Sequence, residues 1–198
     1  AWTQQQDRNS VAVVLSQFNA GKYCGLFDAT TGEPTPDVQT GLSAEASEEQ
    51  RQQAEYYLAE AFYNCLLAGG VGPAYVDKGV MRFASCTSAI GLSAEDRDRA
   101  RLMLAWSHYR KAESASSASL ALQALADCRG ALDGTQALMD DGSAQARGAR
   151  LLYADACIWT GRLRAGAFTA SSWGAAAPGG EDSRALFERA LHFLEMAK

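Results

Sequence analysis

Two histidines and five cysteines are the side chains of this 198-residue chain best suited to nucleophilic or metal chemistry. The cysteines stand at 24, 65, 86, 128 and 157, and the histidines at 108 and 192. No two cysteines form a CxxC pair, so the close ligand spacing of a zinc site is missing. A cysteine nucleophile needs a histidine in reach and a third group to orient that histidine. Cys157 and His108 hold equivalent places in two similar predicted helices, but no orienting group accompanies them. A hydrolase elbow requires GxSxG, which is absent. A phosphate loop requires GxxxxGK[ST], so that backbone amides wrap the phosphates and the lysine reaches them. Gly21-Lys22 lacks the upstream glycine, and the run Gly69-Gly70-Val71-Gly72-Pro73 has no lysine. The pairs Glu48-Glu49 and Asp140-Asp141 are adjacent in sequence and do not face one another across a substrate, so they read as solvated charge. These residues predict no enzyme, no cofactor and no metal site.

Charge narrows the partners. The chain carries 23 acidic and 18 basic residues, a net charge of −5, and its basic residues do not run together. Neither a nucleic-acid footprint nor attraction to an anionic membrane surface is expected. No apolar run is long enough to span a bilayer, so no direct membrane insertion is expected. The cysteines are expected to act as buried small hydrophobes, the alternative being one or two disulfides in an exported protein. The start at Ala1-Trp2, without methionine, is what either a removed leader or a trimmed chain would leave. An exported, periplasmic setting is slightly favoured over a cytoplasmic one.

The elements that would position any site are helices. The stretch GLSAE occurs at Gly41 to Glu45 and again at Gly91 to Glu95. Each copy combines a turn glycine, a serine suited to an N-cap and acidic residues for a first helical turn. Helix starts are therefore expected near Ser43, Ser93 and Ser143. The helices that follow share a pattern: Ala54, Leu58-Ala59, Ala61 and Tyr63 are matched by Ala100, Leu104-Ala105, Ser107 and Tyr109. Ala149, Tyr153-Ala154, Ala156 and Ile158 match them again. Three second helices share Cys86, Ala89-Ile90; Cys128, Ala131-Leu132; and Phe187, Ala190-Leu191. Recurrence at this spacing marks a helical repeat. The predicted map is a helix near 8–20, an irregular stretch to about 41, and helix pairs 44–68 with 74–90, 94–113 with 117–133, and 143–164 with 182–197. On the last helix, Leu186, Phe187, Ala190, Leu191, Phe193, Leu194 and Ala197 form one apolar face. Alternating β-branched runs are nearly absent, so little or no sheet is expected.

These helix pairs resemble tetratricopeptide repeats. Leu58-Ala59, Leu104-Ala105 and Tyr153-Ala154 fit the family's large-small step in the first helix, and Ala89, Ala131 and Ala190 fit the small position of the second. The sequence departs from the family at the aromatic opening position, which holds Glu55, Arg101 and Arg150, and it lacks the closing proline. The resemblance implies an all-α, short solenoid of antiparallel pairs over 43–198, with an N-terminal helix and arm over 1–42 packed on it as one domain overall.

The resemblance also implies which residues would face a partner. They are Tyr56, Glu60, Tyr63 and Asn64 in the first pair, and Arg99, Leu102, Trp106, Tyr109 and Arg110 in the second. In the third they are Leu151, Asp155, Ile158 and Trp159. Tyr, Trp and Arg dominate binding hot spots, and a charge one turn from an aromatic, as in Trp106 with Arg110 and Trp159 with Asp155, suits a surface better than a sealed core. The expected function is a non-enzymatic adaptor or scaffold for a protein or peptide partner, as an accessory of an envelope or secretion assembly if exported. The alternative is an all-α small-ligand-binding domain, its pocket built on Arg110, Asp155 and Tyr153. The 165–180 loop, with Phe168 and Trp173, is a further candidate contact.

Overall fold

The structure, a computed structural model, describes residues 10–43, 47–133, 135, 145–165 and 182–198. Among these, every regular element is helical and no strand occurs. The helices are α1 (Ser10–Asn19), α2 (Pro36–Ser43), α3 (Glu48–Leu67), α4 (Val76–Cys86), α5 (Ala94–Glu113), α6 (Ala118–Asp133), α7 (Ala146–Arg164) and α8 (Ser183–Met196). Two 3-10 turns, Tyr23–Leu26 and Pro73–Tyr75, and one isolated bridge from Phe27 to Pro34 complete the set. The chain is all-α, and adjacent helices pack on one another. No described helix is long and apolar enough to cross a membrane.

Caps decide where these helices begin. Ser93 is the N-cap predicted for α5: its Oγ accepts from the Asp96 N–H at 3.0 Å and donates to the Asp96 carboxylate at 2.7 Å. Ser43 does not play this part. It is the last residue of α2, and α3 is capped by Ser47, whose hydroxyl and the Gln50 side chain satisfy each other's backbone N–H groups. The physical reason lies three residues on: Ser47 is followed by Gln50, which can reach back, whereas Ser43 is followed by Ala46, which cannot. Ser143 lies outside the described residues, and α7 begins at Ala146. The stretch expected to be irregular before Gly41 holds α2. Pro36 occupies its first position, where a missing N–H costs nothing, and Asp37 follows in the first turn.

By their contacts, the residues form two compact units, Ala1–Ala100 and Arg101–Lys198. In the first unit, α3 is the central element. It meets α1, the first 3-10 turn and α4, and for that reason its apolar residues run all round it rather than along one stripe. Its core joins Val14, Leu26, Phe27 and Val38 of the arm to Leu58, Ala61, Phe62 and Cys65 of α3. Arg82 of α4 lies over the rings of Phe27 and Phe62, at 5.6 and 5.7 Å, and pairs with Glu33 at 3.4 Å and Glu55 at 3.7 Å. Glu55 thus faces a cation. A disulfide joins Cys24 to Cys65, while Cys86, Cys128 and Cys157 are buried free thiols. Gly70 backs that bond: a Cβ there would stand 2.7 Å from the Cys65 sulfur and still nearer the Cys24 sulfur. The glycine run after α3 thus serves the disulfide as well as the turn.

The second glycine of the GLSAE pair has a similar reason. A Cβ on Gly91 would lie 2.8 Å from the Glu49 Cα, and the Gly91 N–H donates to the Gln52 side chain at 2.6 Å. The end of the α3–α4 pair therefore returns to the start of α3, an antiparallel arrangement.

In the second unit, α6 and α8 both pack on α7. Phe187 meets Gly161, Phe193 meets Tyr153 at 4.7 Å, and the Met196 carbonyl accepts from Arg150 at 2.8 Å, so α7 and α8 run antiparallel. Arg150 is thereby buried as a donor to the carbonyl end of α8. Ala105, Ala121, Ala149, Ala154 and Ala156 are fully buried and let the helices approach closely. The apolar face predicted for the last helix divides. Leu186, Ala190 and Phe193 are buried, whereas Phe187, Leu191 and Leu194 are exposed, because the α7 contact covers only part of so wide a stripe.

Candidate functional site

Two helices of the second unit bring aromatic and charged side chains together. On α5, Tyr109 and Glu113 stand one turn apart. On α7, Asp155, Ile158, Trp159 and Arg162 fall at the spacing that lines one face. These six residues line an open groove of about 230 Å³. The Tyr109 ring meets the Trp159 ring edge to face at 5.3 Å, and Trp106 meets Tyr109 in the same manner at 5.9 Å. The Tyr109 hydroxyl donates to the Asp155 carboxylate. Burial first, and then that bond, push the Tyr109 hydroxyl far above its ordinary range, so it remains a donor at neutral pH. Glu113 pairs with Arg110 at 2.6 Å. Arg162 is exposed and makes no ion pair among the described residues.

The predicted residues of the first pair stand differently. Tyr56, Glu60 and Tyr63 are only 4, 5 and 6% exposed. Tyr56 donates to the Glu60 carboxylate at 2.7 Å, Arg99 donates to the same oxygen, and Asn64 donates to the Glu60 carbonyl at 2.9 Å. Tyr63 packs its ring on Phe83. This is a satisfied network within the first unit, its tyrosines and Glu60 buried, Asn64 half-buried and Arg99 exposed. Leu102 and Tyr153 are core residues of the second unit, while Leu151 is open. Of the predicted set, the structure therefore brings Trp106, Tyr109, Arg110, Asp155, Ile158 and Trp159 to one place. Phe168 and Trp173 lie outside the described residues.

Sequence reasoning missed Glu113 and Arg162, though each sits one turn from a residue it had chosen. It also missed a hollow of about 470 Å³ between α3 and the end of α4, lined by Glu48, Arg51, Gln52, Glu55, Ser85 and Cys86 among others. The polar set at i, i+3, i+4 and i+7 on α3 was its signal. Glu48 there already pairs with Arg51 and Gln52, and Gln52 accepts from Gly91. Burial pushes the Cys86 thiol up to about 11, which leaves it protonated and unreactive. No cluster of metal-binding side chains occurs among the described residues.

No protein-family model matches the chain, and comparison with curated proteins and with solved structures returns no significant match.

Proposed function

We propose that this chain is a non-enzymatic, tetratricopeptide-like interaction module that holds a protein or peptide partner in the α5–α7 groove. The observation that carries this reading is the gathering of Trp106, Tyr109, Asp155 and Trp159, aromatics with a charge among them, on an open face. Large rigid rings supply contact area at low entropic cost, and polar groups between them give direction. The groove is smaller and more open than the hollows that enclose small ligands, which run to about 300–1,000 Å³. Tyr153, needed for the small-ligand alternative, packs on Phe193 in the core and does not converge with Asp155 and Arg110. The Cys24–Cys65 disulfide supports an oxidising, exported setting.

The test is capture from native host extract by the wild-type protein and by a Tyr109→Ala/Trp159→Ala variant that circular dichroism shows to be equally helical. Each captured protein is then purified and rebound. A partner that rebinds the wild type and not the variant is the expected result. Equal rebinding by both would remove this groove from the reading.

A further inference from the structure

The charges along the groove are ordered, and the order selects a partner. Asp155 and Arg162 lie seven residues apart on one face of α7, two helical turns or about 10.5 Å along the axis. Tyr109, Ile158 and Trp159 lie between them. Glu113 is neutralised by Arg110 at 2.6 Å. Asp155 accepts from the Tyr109 hydroxyl and makes no ion pair among the described residues. Arg162 makes no ion pair among the described residues. The groove thus presents an anion at one end, a cation at the other and an apolar floor between.

We propose that the groove takes a partner segment of opposed charge. A lysine or arginine side chain meets Asp155, a carboxylate meets Arg162, and an apolar side chain covers Tyr109, Ile158 and Trp159. An extended segment rises about 3.3 Å per residue and places alternate side chains on one face. Its cation, apolar residue and acid therefore stand at i, i+2 and i+4, a span that long side chains fit to the groove. This inference rests on the reading of the groove as the partner site and adds the chemistry of what fills it.

The test uses four heptapeptides with a central phenylalanine and two outer positions at i−2 and i+2. The outer positions hold Arg and Glu, two Arg, two Glu or two Gln. Binding is read from the indole N–H signals of the ¹⁵N-labelled protein. An exposed ion pair is worth up to about fivefold in affinity. The wild type is expected to favour the Arg/Glu peptide by about fivefold over each like-charged twin, and to lose that preference in high salt. Asp155→Arg shifts the preference to the Glu/Glu peptide, and Arg162→Glu shifts it to the Arg/Arg peptide. Asp155→Asn keeps an acceptor for Tyr109 and removes only the charge, so it abolishes the preference over the Glu/Glu peptide, keeps that over the Arg/Arg peptide, and leaves the fold undisturbed. An unchanged rank order in these variants, equal binding of all four peptides, or no binding of any overturns the proposal. Where such a result accompanies a partner that rebinds wild type but not Tyr109→Ala/Trp159→Ala, the charge rule falls and the groove stands. Where no partner depends on that pair either, both readings fall.

Discussion

The two units stabilise similar helix pairs by different means. In the first, α3 and α4 do not complete a core alone. The arm supplies Leu26, Phe27 and Val38, a disulfide fastens it, and Arg82 bridges its rings and its carboxylate. In the second, α5 to α8 share a core rich in alanines and leucines, with Arg129 and Thr160 as a buried polar link at 2.6 Å and no disulfide among the described residues. One pattern of small and large residues is thus compatible with a covered core and with a self-packed one. The difference lies in what the neighbouring segment brings. It also separates the two tyrosine–carboxylate contacts: Tyr56 with Glu60 is sealed in the first unit, whereas Tyr109 with Asp155 opens to solvent in the second.

The largest expected effect breaks the first unit. Cys24→Ala/Cys65→Ala removes a cross-link across a separation of 41 residues. By loop entropy this costs about 4 kcal/mol, read as lost hydrogen-exchange protection in α3. No loss would mean that the arm's apolar anchors suffice. Leu152→Ala is the counterpart in the second unit, where a fully packed leucine leaves a cavity worth about 3 kcal/mol in urea unfolding. A cost below about 1 kcal/mol would show that the alanine-rich core collapses onto the gap.

Gly91→Ala sharpens the comparison at one turn. The added methyl meets the α3 backbone and should cost about 2 kcal/mol by thermal unfolding, while the same change at Gly130, with open space around it, should be neutral or stabilising. Alkali should weaken the second unit over the wider range. Burial pushes the Cys128 thiol up to about 12, from an ordinary value of 9.0 that the unfolded chain retains. Its contribution is complete below pH 9.0 and falls as pH rises toward 12, by about 1.4 kcal/mol per pH unit; a Cys128→Ala variant should lose this share of the alkaline loss and keep that of Tyr109 and Tyr153, which begins above pH 10.0. Tyr109→Phe, the smallest change, removes one partly exposed hydrogen bond and should cost about 1 kcal/mol or less. A larger loss would mark the groove as a structural joint.

Much of the helical order was legible because period and caps are local. The predicted range 94–113 coincides with α5, and Ser93 caps it through Asp96. Ser43 misled because a five-residue match outweighed the residue that must complete the capping box. Of the residues chosen for a partner face, those of the second and third pairs come together at an open groove, whereas Tyr56, Glu60 and Tyr63 are buried. Tyr56, Tyr63, Tyr109 and Trp159 share helical spacing and chemistry, and nothing local distinguishes them. Burial of the first two depends on Phe83 and on the partners of Glu60, contacts made across long separations in sequence. Arg82 escaped notice for the same reason: its worth lies in Phe27 and Glu33, about fifty residues upstream.

The bonded cysteines are the first two of the five along the chain. On a polypeptide delivered N-terminus first into an oxidising space, Cys24 and Cys65 would emerge ahead of Cys86, Cys128 and Cys157. Their bond would then withdraw both sulfurs before those three thiols arrive to be enclosed by their own helices. Among these five cysteines, order along the chain alone would favour the native pair.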